Sequence, residues 1–246
     1  EKLKMVIDSR LVTRAENVVP TERKPQGGKG AEDSSLPFVW DALRVLSTAH
    51  AALKPDQQVA FFGASVRSTA LLLGGVSDGI DWDTTRQAAV DFFLTNHIEG
   101  PPLVAAALSR ALCYVNRIRK THPDMPARIL VVDASAVEAE LSAQSTALVS
   151  CAFAAKSCAV PVDCLALGVA SSVLLRQVTL LSGGKHQPLP AARRPHRLAE
   201  VLVPALLFHF LPGVEVRKDL NIAKDLHNLA AVCSCHGETQ EIASVC

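Results

Sequence analysis

Two short apolar runs in this chain close on an aspartate, Met5-Val6-Ile7-Asp8 and Leu130-Val131-Val132-Asp133. Runs of this length, without polar alternation, predict strands buried on both faces. Between them, Phe38, Ala42, Val45, Leu46, Ala49 and Leu53 recur at helical spacing and predict one apolar helix face, which Lys54-Pro55-Asp56 then breaks. Val59-Ala60-Phe61-Phe62 and Ala70-Leu71-Leu72-Leu73 flank a short polar turn and predict a strand pair. Asp81 to Leu94 predicts a helix with Trp82, Phe92 and Phe93 as apolar contacts. Gly100-Pro101-Pro102 presets another helix, with Val104, Leu108, Ala111, Leu112 and Val115 on one face.

The alternation continues in the second half. Ala136 to Ala155 reads as helix and Pro161 to Leu167 as strand. Ser171 or Ser172 caps a helix that Gly183-Gly184 ends. Lys185-His186-Gln187 is a short last strand, and Leu198 to Leu211 a final helix kinked or restarted at Pro204. Repeated strand–helix alternation predicts an α/β fold: a doubly wound, mostly parallel sheet with one antiparallel edge strand and a short cysteine-containing C-terminal tail. The expected domain spans residues 1–216, with 217–246 as linker and tail. In such a sheet the ligand crevice lies at the carboxyl edge where strand order reverses. Asp8 and Asp133 would both face it if their strands are neighbours.

Composition narrows the classes. At 246 residues, 49% hydrophobic and 20% charged, the chain has enough apolar surface for one large core. A net charge of +1 predicts no strong attraction to nucleic acid or membranes. Nothing approaches the roughly 18 consecutive apolar residues of a membrane span. Lys2-Leu3-Lys4 leads straight into a strand and does not read as a signal peptide. Cys113, Cys151, Cys158 and Cys164 sit in apolar patterns and are expected to be reduced core thiols, as suits an intracellular compartment. Arg117, Arg119 and Lys120 read as charges favouring a helix C-terminus.

Familiar catalytic signatures are missing. No G-x-G-x-x-G follows the first strand, where Asp8-Ser9-Arg10-Leu11-Val12 stands instead. Gly27-Gly28-Lys29-Gly30, within the Pro-, Gly- and charge-rich loop from Val19 to Ser35, lacks phosphate-loop spacing. Gly63-Ala64-Ser65-Val66-Arg67 lacks the second glycine of a nucleophile elbow. The tail carries a different chemistry: Cys233, Cys235, His236 and Cys246 are soft ligands suited to zinc, although C-x-C is a weaker signal than paired C-x-x-C.

The aspartate closing the first strand resembles the D-x-S-x-S motif of von Willebrand factor A domains, in which a threonine loop and a later aspartate complete a magnesium site. Here Asp8 and Asp133 occupy the aspartate positions, Arg10 and Val12 replace the serines, and Gly100-Pro101-Pro102 lies where the threonine loop belongs. This is a degenerate crevice in which no magnesium is expected, since that ion demands octahedral oxygen ligation. Leu108 to Arg117 together with Ala127 to Val132 adds a narrower likeness. It continues through Phe153-Ala154-Ala155-Lys156, Val162-Asp163-Cys164, Leu180 to Gly184, Phe208 to Pro212 and Ala231 to His236. In order and spacing these segments resemble the smaller von Willebrand A subunits of the transcription and repair factor TFIIH.

The resemblance implies a noncatalytic nuclear subunit of the TFIIH core, acting in RNA polymerase II transcription initiation and nucleotide excision repair. It implies binding to the larger von Willebrand A/zinc-finger subunit and other core subunits, no sequence-specific nucleic-acid or membrane binding, and a structural zinc in a C-terminal finger whose ligand set is incomplete here. The apolar stretch Leu206, Leu207, Phe208, Phe210 and Leu211 is the candidate partner surface, and covering the sheet is its alternative role. A metal-dependent adhesion domain of the same fold and an α/β enzyme using Asp8, Asp133 or a histidine are the rival readings.

Overall fold

The computed structural model describes residues 2–8, 36–53, 58–76, 80–96, 100–133, 138–167, 172–189, 195–220, 231–232 and 239–240. The expected loop from Val19 to Ser35 lies outside the described residues. Strands β1 (Lys2–Asp8), β2 (Gln58–Ala64), β3 (Thr69–Val76), β4 (Ala127–Asp133), β5 (Val162–Ala166) and β6 (His186–Pro188) form one sheet in the order β3-β2-β1-β4-β5-β6. All neighbours are parallel except β2 and β3, whose register shifts between Phe61 and Phe62. Helices α1 (Leu36–Leu53), α2 (Trp82–Thr95), α3 (Val104–Thr121), α4 (Ser145–Ser157), α5 (Val173–Ser182), α6 (Pro195–Ala205) and α7 (Val214–Asp219) cover it. A small hairpin, β7 (Ala231–Val232) with β8 (Thr239–Gln240), stands in the tail.

The period-2 geometry of strands splits the core in two. On one face Val59, Phe61, Leu130, Val132 and Leu165 meet α1, α2 and α6. On the other, Ala60, Phe62, Ile129, Val131 and Cys164 meet α3, α4 and α5. Trp40, Phe61 and Trp82 form an aromatic cluster on the first face, with centroids 5.2 to 6.2 Å apart. Burial on both faces explains why β4 is apolar without alternation: all seven of its residues are buried.

Local chemistry sets the helix ends. Asp81 accepts the backbone N–H groups of Asp83 and Thr84 at 3.1 and 3.2 Å, and Ser172 accepts that of Leu175 at 3.3 Å. Gly183 ends α5 at φ +79°, a left-handed conformation suited to glycine. Arg119 donates to the carbonyls of Met125, Cys158 and Ala159, so this basic residue at the end of α3 staples neighbouring turns.

Three expectations need correction. The buried face of α1 is Leu36, Val39, Trp40, Ala42, Leu43, Leu46, Ser47 and His50, whereas Val45 and Leu53 are exposed. Apolar residues are dense enough on α1 that two stripes fit a helical period, and packing against β2 selects the one containing Trp40. Only Cys164 of the four core cysteines is buried; Cys151 is half-buried, and Cys113 and Cys158 are exposed. Cys113 sits two positions from both Ala111 and Val115, and a 100° turn per residue carries it outward from their buried face. Finally, Leu198 to Leu211 is not the last helix. α6 runs through Pro204 and widens into a π-helical turn at Leu206–Phe210, after which α7 forms across the expected boundary at residue 216. Proline lacks the amide that would bond the Glu200 carbonyl in the α ladder, and beyond it the Leu211 amide bonds the Leu206 carbonyl at 3.0 Å, the five-residue step of a π turn.

Candidate functional site

At the carboxyl edge, β1 and β4 are parallel neighbours with Ile7 opposite Val132, so Asp8 and Asp133 end adjacent strands. Strand order reverses between them, since the chain leaves β1 toward β2 and returns through β4 on the other side. The two strands are therefore neighbours at a reversal of strand order, the condition under which the sequence reading placed both aspartates at one edge. Asp133 is buried, and its backbone carbonyl accepts the Leu167 amide at 2.7 Å. Burial first, and then the carboxylates of Asp133 and Asp163, hold the Cys164 thiol well above its ordinary range, which keeps it protonated. Arg10 and Val12 lie outside the described residues.

The neighbouring loops are committed to structure. Ser65 is fully buried; its hydroxyl donates to the Ser68 carbonyl at 2.9 Å and accepts the Ser68 amide at 3.0 Å. It is thus a turn-forming residue with no surface for a substrate. Gly100 sits at φ +144°, and a Cβ there would lie 3.2 Å from Val66, so both conformation and space favour glycine. The Pro102 carbonyl accepts Gln144 Nε2 at 2.8 Å and the Val104 amide at 2.8 Å. Among the described residues no group of three His, Cys, Asp or Glu side chains is placed to hold a metal ion.

The amino edge of the sheet carries a constellation that sequence reasoning missed. Arg128, fully buried at the start of β4, donates to the Pro212 and Leu211 carbonyls at 2.9 and 3.0 Å. Arg217 of α7 makes a bidentate pair with buried Asp163 of β5, at 2.9 and 2.7 Å, and also donates to the Pro212 carbonyl at 3.0 Å. Asp163 additionally accepts the Lys185 amide at 2.8 Å. Two guanidinium groups thereby cap the carbonyls at the end of the π-helical turn and hold the outgoing chain under the sheet. Burial, and then the nearby Arg128 charge, lowers His50 from 6.5 to about 4, so its imidazole is neutral in this setting. A polar residue inside an apolar strand was the available signal for Asp163; its partner, 54 positions away, left no local mark.

Five residues of the last helical stretch were candidates either for a partner surface or for covering the sheet, and they divide. Leu206 and Phe210 are fully buried in the first core, with Leu207 and Leu211 partly buried against it. Phe208 alone is exposed, at 73%. The wide π turn points Leu206 and Phe210 inward together, so that pair covers the sheet and the expected surface shrinks to Phe208. On the same helical face, at i, i+3 and i+7, stand exposed Val201 and Pro204. Cys233, Cys235, His236 and Cys246 lie outside the described residues, the first three in the segment connecting β7 to β8.

Strand order, antiparallel edge and carboxyl-edge aspartates together define a von Willebrand factor A-type domain. Solved structures agree at the level of the fold: that of the TFIIH p34 N-terminal domain gives a TM-score of 0.58 at 19% identity, covering 82% of this chain and 95% of that one. The Rpn10 VWA domain gives 0.57 at 11% identity, covering 86% and 96%. The chain belongs to the family Transcription factor Tfb4, whose family model matches residues 84–246. Curated relatives include General transcription factor IIH subunit 3 of Dictyostelium discoideum, 32% identical over 144 residues, or 58% of this chain and 36% of that protein. The General transcription and DNA repair factor IIH subunit TFB4 of Arabidopsis thaliana is 30% identical over 146 residues, 58% of this chain and 45% of that protein. The chain thus spans less than half the length of these relatives.

Proposed function

We propose that this chain works as a noncatalytic, structural subunit of the TFIIH core in the nucleus, in RNA polymerase II transcription initiation and nucleotide excision repair. Membership of the Tfb4 family carries the reading. The architecture supports it: the buried Ser65 and Cys164 have no access to substrate, and the domain's chemistry is spent on packing and on holding its outgoing chain. Its partners are the larger von Willebrand A subunit and other core subunits, and the exposed strip Val201, Pro204 and Phe208 forms part of that contact.

Cys233, Cys235 and His236, with Cys246, offer thiolate and imidazole donors whose softness fits zinc. Bound there, zinc would fold the tail, contributing on the order of 10 kcal/mol in a complete four-ligand site. The crevice at Asp8 and Asp133 takes no magnesium in this reading, because the serine and threonine oxygens of the metal-binding relatives are replaced.

A pull-down from nuclear extract tests the assignment. Recovery of the larger von Willebrand A subunit together with the TFIIH helicases is expected, and their absence would overturn it. Phe208→Asp in the same bait should weaken recovery of the larger subunit at least tenfold with unchanged thermal stability; undiminished recovery removes this strip from the contact.

A further inference from the structure

A second surface lies on the opposite flank of the sheet, away from α6. Strand β3 ends the sheet, and among the described residues no strand pairs with its outer edge. Its sequence, TALLLGGV, carries neither charge nor proline, the usual guards of an exposed edge. The one interruption of its pairing is the register shift beside Phe61 and Phe62. Gly74 is exposed, and a Cβ there would lie 2.8 Å from the Tyr114 hydroxyl, so the missing side chain lets α3 approach the strand and leaves its backbone bare. Glycine within a strand commonly marks such a close approach by another backbone.

Alongside this edge, α3 and the sheet enclose an open groove of about 330 Å³ lined by Phe62, Leu71, Arg110, Cys113, Tyr114 and Arg117. Arg110 donates to the Thr69 carbonyl and, at 2.9 Å, to the Thr69 hydroxyl, while Tyr114 meets Gly74 farther along, so α3 and β3 run in the same direction. The Arg117 guanidinium lies 5.1 Å from the Tyr114 ring centroid. Both arginines are exposed, and neither forms an ion pair among the described residues. Seven helical residues separate them by about 10.5 Å along the axis, between the roughly 7 Å and 13 Å that separate same-face strand residues two and four positions apart, a difference that long side chains span.

We infer that this edge and groove dock an extended acidic segment of a partner protein, which adds a strand to β3, sets an apolar side chain against the exposed Leu71, and places carboxylates on Arg110 and Arg117. Strand addition uses main-chain hydrogen bonds for affinity and alternate pockets for selectivity. A peptide fits better than a nucleic-acid backbone, because the open strand edge offers main-chain partners, Arg110 is fixed to that edge and Arg117 is folded over Tyr114. The surface is separate from the Phe208 strip, so the two can fail independently.

The test is fluorescence polarisation of the full chain with a labelled eight-residue peptide alternating glutamate and valine. Binding is expected with a dissociation constant below about 1 mM, weakening with added salt. Arg117→Glu, at an exposed position with no backbone bond, should weaken it at least tenfold, and the Arg110→Glu/Arg117→Glu variant should instead take a lysine–valine peptide. N-methylation of alternate peptide amides should abolish binding by removing the strand donors. Absence of binding, equal binding by Arg117→Glu, indifference to N-methylation, or displacement by an eight-nucleotide oligothymidine would each overturn the inference.

Discussion

Replacing Asp163 by asparagine isolates the charge of the pair that holds α7. Asparagine keeps an oxygen for the Lys185 amide, now bonded at 2.8 Å, but removes the negative charge facing Arg217. The Asp163 side chain is 1% exposed and that of Arg217 10%, so the guanidinium is left largely buried beside a neutral amide. Breaking one side of a buried pair costs about 3–5 kcal/mol. For a chain of this size that corresponds to a fall in Tm of roughly 6–20 °C. Differential scanning calorimetry of wild type, Asp163→Asn, Arg217→Met and the double variant measures it. The double variant should lose less than the sum of the single losses, since no unpaired charge remains, with a coupling of at least about 2 kcal/mol. Additive single effects, or a loss below about 1 kcal/mol for Asp163→Asn, would refute the claim that this pair anchors the outgoing chain.

His50 makes stability pH-dependent. Its folded value of about 4 lies below the ordinary 6.5, so the unfolded chain binds the extra proton. Stability should be intact above pH 6.5 and fall by at most about 3 kcal/mol on acidification toward pH 4. Urea denaturation across that range should show a slope that His50→Gln removes, and an equal slope in the variant would assign the effect elsewhere. Gly184→Ala places a Cβ 1.9 Å from the Val162 carbonyl oxygen, a backbone clash that only movement of β5 can relieve. It should destabilise by about 3 kcal/mol or more, and a Tm within two degrees of wild type would contradict it.

The strands announced themselves because β-structure is written locally. β4 needed only the apolar run Ile129 to Val132, and the pair around the polar turn at Ser65 needed only adjacent runs. Ser172 and Gly183 were equally legible, since a cap acts on amides or carbonyls within a few residues. On α1 the same kind of reading failed. Alanine, valine and leucine are so frequent there that the helical period admits two stripes, and only the presence of Phe61 opposite Trp40 chooses between them.

The candidate site divides along the same line. The sequence alone determined that Asp8 and Asp133 close two strands, and that the tail holds soft candidate ligands, because both are properties of contiguous residues. Only the tertiary structure decided that those strands are neighbours at a reversal of strand order. It also decided that Leu206 and Phe210 turn inward while Phe208 turns out, and that Arg217 crosses to Asp163. The physical reason is range. Hydrophobic period and capping are settled within one or two turns of chain, whereas pairing order, helix phase and buried ion pairs depend on which distant surface arrives opposite them.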